Sequence, residues 1–425
     1  MCEFFYKTRN IIGIILIISP VPGTFSTDRP FLFYLLLLAG TAAAVPLHCI
    51  GILFLPFRLW LISACLAAAA GQILTMPSAA GLLPFDPVYL SALLQGAACG
   101  GLLLLLPPVM ITGWFRRSKN MVLGILWSVS LLILPLWQAA FHQAAGWAIA
   151  ASAFSMATGI VFLQRPPVNF RFRENPLLLG RSGTFVKPSI YTSSIAASLG
   201  MVVSLSILMT PSQVQDIHSL SGGLHSEQAF MLLSGDTFSA LPSMLLSGLT
   251  AALPYLFLAA APVLTALFME RKGVFSGCVL LIFLCESAVL CLGSAGSAAD
   301  GLVGSAAGIM GGVSGGAAAA DVGSRVLPLA GRCLLATAAG CLPVVLPILN
   351  HYLYGSISFL ESFGRLVFFL PAGLLASMPF CYLAAEGELL PEDPVIFLLF
   401  LLVMSFFCIF SAWKHRFIIL KNKIL

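Results

Sequence analysis

Apolar runs separated by short polar interruptions organise this chain. A membrane-spanning helix needs about 20 apolar residues, and the stretches 31–54, 59–74, 88–113, 121–141 and 146–163 each read as one span. A shorter run, 11–21, follows Lys7 and Arg9 and is closed by Pro20, Pro22 and Gly23. It reads as a short first helix or as a signal peptide; no small-x-small cleavage pattern follows it, which favours the helix. The pattern then breaks at 164–188, a Pro-interrupted polar segment with Arg165, Arg171, Arg173, Arg181 and Lys187 against a single Glu174. We take it as a cytoplasmic linker between an N-terminal six-helix bundle, 1–163, and a C-terminal one, 189–425. The second bundle is expected to hold spans at 189–209, 245–269, 274–292, 333–349, 366–384 and 395–413.

Charge fixes the expected sidedness. Arg116, Arg117 and Lys119 fall at the junction of two apolar runs. Arg or Lys at the centre of a membrane helix costs roughly 2.5–3.5 kcal/mol, so this cluster belongs at the bilayer surface, on the cytoplasmic side. The segment 301–320, with Gly304, Gly308, Gly312 and Gly316 at every fourth position, decides the count. As a helix it would present a glycine ridge for close packing, but glycine is a poor helix former. If it does not span, there are twelve helices, and all 21 Lys and Arg except Arg29, Arg325 and Arg332 lie inside. If it spans, Arg325 and Arg332 move in, but Arg365 and the basic tail Lys414, Arg416, Lys421 and Lys423 move out. The expectation is therefore about twelve helices, with both termini cytoplasmic.

Composition narrows the class. Hydrophobic residues make up 59% and charged residues 9%, with a mean hydropathy of +1.02, where a soluble domain carries about 25% charge. This is an all-α, multi-pass integral membrane protein, expected in the cytoplasmic membrane. The net charge of +5 sits in short clusters between apolar runs, which does not suggest nucleic-acid binding. The eleven cysteines form no Cys-x-x-Cys and mostly lie within apolar runs, as buried free thiols would. Neither a disulfide framework nor a zinc site has supporting spacing, and no metal or cofactor is expected.

Trp114-Phe115-Arg116-Arg117, then Leu123-Gly124-Ile125, Pro135 and Gly146-Trp147, resemble the fourth-to-fifth helix region of major facilitator superfamily transporters, nearest to the monocarboxylate-porter and oxalate/formate-antiporter branch. The resemblance implies two six-helix bundles rocking about a site near the bilayer midplane. A weak internal repeat fits it: Gly51-Ile52-Leu53 with Arg58 after the second helix, and Glu270-Arg271-Lys272-Gly273 in the second half. These charges, with Arg116 and Arg117, are the candidate gating-loop set. The acidic residue usual after the second helix in that superfamily is replaced here by Pro56-Phe57-Arg58. Asp321 to Arg325 also resembles a cytoplasmic loop of family members, which would favour thirteen helices. Monocarboxylate porters carry an Arg and an Asp on the eighth helix; residues 245–269 hold neither.

Candidate chemistry is sparse. Glu286, in Phe283-Leu284-Cys285-Glu286-Ser287, is the clear intramembrane charge and the candidate proton-coupling group, against the plainer reading of a neutral Glu bonded between helices. Candidate substrate contacts are uncharged: Gln95 on the fourth helix, Trp127 and Gln138 eleven residues apart on the fifth, Tyr191, Ser194 and Ser198 on the seventh, and Tyr255 on the eighth. Eleven residues is close to three whole turns, so the fifth-helix pair shares a face. Helix packing is the competing explanation for each. Gly312-Val313-Ser314-Gly315-Gly316 fits the nucleophile-elbow pattern, but no strand precedes it. His218 and His225 beside Asp216 and Glu227 match no known metal spacing.

The expected function is a secondary active transporter or facilitator for a small neutral, amphiphilic or weakly acidic solute, with a coupling proton or ion and lipid as its other partners, acting as a monomer. The alternatives are an intramembrane enzyme on lipid-linked substrates, which would need paired catalytic groups at one depth, and a transport-incompetent scaffold or sensor. No catalytic set is evident, and an enzyme is not expected.

Overall fold

The computed structural model describes residues 2–21, 30–76, 86–115, 118–164, 237–299, 316–354, 359, 362–364, 366–373, 375, 399–411 and 414. Every regular element among them is helical. In chain order these are α1 (Cys2–Ile18), α2 (Pro30–Phe54), α3 (Phe57–Leu74), α4 (Pro87–Ala98), a π-helical segment (Cys99–Leu105), α5 (Leu106–Trp114), α6 (Lys119–Gln143) and α7 (Ala145–Phe162). The second half contributes α8 (Thr237–Lys272), α9 (Val274–Ala299), α10 (Gly316–Tyr354) and α11 (Leu399–Ser411). Seven helices among the described residues are long and apolar enough to cross a membrane. The expected span 189–209 and the glycine-rich residues 301–315 lie outside the described residues.

Helix limits follow local chemistry. Asp86 caps α4 by accepting from the Val88 amide at 3.0 Å, with Pro87 in the first turn, where a missing N–H is harmless. The fourth span is one continuous path from Pro87 to Trp114 that widens at Cys99–Leu105. Pro107 and Pro108 explain the widening: each removes an amide donor and crowds the carbonyl four residues back. The chain answers by shifting to five-residue bonds, as from the Leu106 amide to the Gly101 carbonyl. Gly273, at φ +93°, turns α8 directly into α9; that left-handed conformation favours glycine.

Two boundaries differ from the sequence reading. The first helix begins at Cys2 rather than residue 11 and carries Lys7 and Arg9 within it. Those cations are held at the helix's edge: Arg9 donates to the Val161 carbonyl at 2.9 Å, and the Lys7 ammonium lies over the Phe115 ring. Ile14, Ile17 and Ile18 are fully buried, so α1 is an integral part of the bundle, packed on α7. The tenth helix starts at Gly316 rather than 333, so Asp321 to Arg325 is helical and not a loop. Ala317 to Ala320, the best helix formers available, carry the helix through it.

Packing runs in three groups. α1 and α3 pack on α7; α2 and α3 pack on α4; α8 and α9 pack on α10. α2 and α4 approach closely enough that a Cβ on Gly96 would meet the backbone of Leu37 and Thr41. Between the halves, α6 packs on α8 and on α10, and a single apolar core extends through both. The Lys7–Phe115 contact and the Asn10 side chain accepting from the Gln164 amide at 2.8 Å place the starts of α1 and the ends of α5 and α7 at one end of the bundle.

Candidate functional site

The site is built around one face of α6. Asn120, Gly124, Trp127 and Ser128 fall within about two turns on a common stripe. Gly124 brings that stripe against α8, because an added Cβ would lie 2.8 Å from both the Pro262 carbonyl and the Ala266 methyl. At the same level of α8, Thr265 meets Cys341 of α10 with 2.9 Å between hydroxyl and sulfur. The three helices α6, α8 and α10 thus form a seam between the two halves.

Hydrogen bonding along this seam is unlike that elsewhere. Buried polar atoms normally find partners, and exceptions call for a cause. Among the described residues, the buried side-chain atoms without a partner are Trp114 Nε1, Asn120 Oδ1, Trp127 Nε1, Ser128 Oγ, Asn350 Oδ1 and His351 Nδ1. All belong to α5, α6 or α10. Trp127 and Ser128 are almost fully buried, and Asn350 is completely so. The Asn350 amide donates to the Phe359 carbonyl at 3.3 Å, which leaves its oxygen unused. The end of the seam opens into a small, largely apolar cleft with room for about one water, lined by Pro108, Ile111 and Thr112 of α5, Lys119, Asn120 and Leu123 of α6, and Pro347, Ile348 and His351 of α10.

Polar groups inside the first half are, by contrast, satisfied. Gln72 donates to the Pro20 carbonyl at 2.8 Å and accepts from Ser152, tying α3 to the end of α1 and to α7. His48 is held by Trp60 and by the Ala97 carbonyl, each at 2.9 Å. These knots fasten helices to one another.

The expected site residues separate accordingly. Trp127 is on the seam, with a free indole N–H. Gln95 is not: it is buried against Gly71 of α3 and donates to Ser91 at 3.3 Å, whose hydroxyl in turn donates to the Gly71 carbonyl. Tyr255 is 43% exposed beside the exposed Leu256 and Phe257. Glu286 is half-buried on α9, in line with Phe283 and Leu290, which are 62% and 51% exposed, while Cys285, Ala288 and Val289 face inward. Its side chain therefore lies at the edge of the outer face of α9. Arg58 is exposed in the first turn of α3, and Glu270, Arg271 and Lys272 are exposed at the end of α8. Arg116, Arg117, Tyr191, Ser194, Ser198 and the Gln138 side chain lie outside the described residues.

Sequence reasoning missed Asn120, Ser128, Asn350 and His351. The signal for the first two was present, as polar residues four and one positions from Gly124 and Trp127 on one helical stripe. Asn350 and His351 end an apolar run and read as ordinary interfacial residues.

No family model matches the chain, and no curated protein matches it in sequence. Among solved structures, it is similar to a bacterial homologue of the iron transporter ferroportin in an outward-facing state, with a TM-score of 0.51 and 14% identity over 97% of this chain and 99% of that one. A structure described as the same kind of homologue with soaked iron gives a TM-score of 0.49 and 15% identity over 98% and 99%. The first likeness spans nearly the whole chain and defines the fold: an all-helical, multi-pass membrane protein of the major facilitator type. The finer resemblance to the monocarboxylate-porter branch finds no counterpart among these similarities.

Proposed function

We propose that this protein is a secondary transporter that moves a small solute across the cytoplasmic membrane by alternating access, its two halves rocking about the α6–α8–α10 seam. One observation carries the reading: among the described residues, five of the six unpartnered buried polar atoms lie on the seam helices α6 and α10, and the sixth, Trp114 Nε1, ends the neighbouring α5. A structural scaffold gains nothing from leaving Trp127, Ser128 and Asn350 unsatisfied, since each such atom costs roughly 1–3 kcal/mol. A transported solute supplies the missing partners in passing. The full-length likeness to a transporter fold supports the same reading.

The solute we favour is a small organic molecule, neutral, amphiphilic or weakly acidic. The seam offers an indole N–H, a hydroxyl and amide oxygens. Among the described residues no three His, Cys, Asp or Glu side chains converge as metal ligands.

Uptake into proteoliposomes across a panel of neutral solutes, small carboxylates and ferrous iron tests this. The expected result is saturable uptake of an organic solute that Trp127→Ala reduces about tenfold or more, with Gln138→Ala as a companion. Uptake of iron alone, or of nothing in the panel, would overturn it.

A further inference from the structure

We propose that His351 is a pH-sensitive latch: in the shut seam it shares a cleft with Lys119 of the opposite half, and its protonation drives this end of the seam open. The inference rests on the reading that the halves part along the contact of α6 with α10, and it names what controls the parting. Lys119 is the first residue of α6 in the first half, and His351 lies in the last turn of α10 in the second. Both are half-buried. The cleft they line has room for about one water, so little solvent screens one from the other. The two are close enough for their charges to interact.

The other groups around His351 do not offset that repulsion. The α5 residues in the cleft, Pro108, Ile111 and Thr112, are uncharged, as is Asn120 of α6. Phe359 presents a ring whose centroid is 6.1 Å from that of the imidazole. Two more helices pack on α10. Of these, α8 ends in the exposed Glu270, Arg271 and Lys272, and α9 carries the buried Cys278 near its start and Glu286 about three turns along it. On α10 itself, Tyr352 follows His351 and is partly exposed. Among the described residues, Lys119 is thus the charge that shares the cleft with His351.

His351 Nδ1 is buried without a partner. A neutral imidazole carries one ring hydrogen, and with that hydrogen on Nε2 it leaves Nδ1 bare. An imidazolium carries two, so in the shut seam a charged N–H would be buried with no acceptor, beside an ammonium. Both costs vanish once the halves separate and water reaches the ring. The C-terminal end of α10 favours a cation in either state and leaves the balance unchanged. By linkage, a shut state that disfavours the charged ring keeps its full advantage above the ordinary histidine range, about pH 6.5, and loses it as pH falls through that range. Acid therefore opens this end.

Opening is read without any solute, so a failed uptake assay and a failed latch are told apart. The full chain in phosphatidylcholine nanodiscs is followed by hydrogen–deuterium exchange mass spectrometry at about pH 5.5 and about pH 8, on either side of the histidine range. Each rate is divided by the intrinsic exchange rate at that pH. Peptides from the start of α6 and the end of α10 report the seam, and peptides from α7 serve as the reference. The expected result is seam exchange about fivefold or more faster at the lower pH. His351→Phe removes that response, and Lys119→Gln shrinks it. His351→Lys, with its fixed charge, exchanges fast at both pH values. Melting temperatures at the higher pH confirm that each variant is folded. No response in the wild type, a response that survives His351→Phe, or one that Lys119→Gln leaves at full size overturns the proposal.

Discussion

The indole N–H of Trp60 donates to Nδ1 of His48 at 2.9 Å, and that one bond determines the state of the imidazole. Indole can only donate, so Nδ1 must accept and the ring hydrogen resides on Nε2. Nε2 then donates to the Ala97 carbonyl, also at 2.9 Å. Three helices meet here: α2 supplies His48, α3 supplies Trp60, and Ala97 lies just before the widened turn of the fourth span. Gly101 makes room for the ring, since a Cβ there would come within 2.8 Å of it.

Trp60→Phe keeps most of this packing and removes the donor. The account predicts a loss of about 1–3 kcal/mol in stability, the penalty for a buried acceptor left unmade. It is measured as a lowered midpoint of thermal unfolding in one fixed detergent. An unchanged midpoint would show that His48 finds another partner at no cost.

The two buried glutamines should differ in weight. Gln72→Leu strands the Pro20 carbonyl and the Ser152 hydroxyl on two other helices, and should destabilise by about 1–3 kcal/mol. Gln95→Leu gives up one 3.3 Å bond to a serine on its own helix, whose hydroxyl keeps its bond to Gly71. It should therefore unfold at a higher temperature than the Gln72 variant, and the reverse order would contradict the assignment of Gln72 as the knot joining α1, α3 and α7.

Glu286 aligns with the exposed Phe283 and Leu290 and not with the buried face of α9. Glu286→Gln is therefore expected to leave uptake and its pH profile unchanged in proteoliposomes. A flattened profile in that variant would identify Glu286 as the coupling group.

Much of the architecture could be read from the sequence because its signals are local. Spans such as 121–141 and 146–163 end within about two residues of α6 and α7, since length and apolarity set them. The start of α10 escaped because Asp321 and Arg325 look like a loop, although the alanines before them continue the helix. The site was harder to see. Gln95 and Trp127 are both large polar-capable residues in apolar runs, yet one is packed against Gly71 of α3 and the other lies on the seam. Only packing between segments distant in sequence tells them apart.

Transport by alternating access requires the two halves to part, and α2 of the first half meets the segment 362–364 of the second. A Cβ on Gly364 would lie 3.4 Å from the Cβ of Cys49, at the short end of the roughly 3.5–4.5 Å separation a disulfide requires. Gly364→Cys is therefore expected to cross-link to the native Cys49 under mild oxidation. The decisive measurement is solute uptake by that variant before oxidation, after it, and after reduction. The account predicts uptake that is abolished by the cross-link and recovered on reduction. Undiminished uptake with the cross-link formed, verified by intact mass, would contradict it.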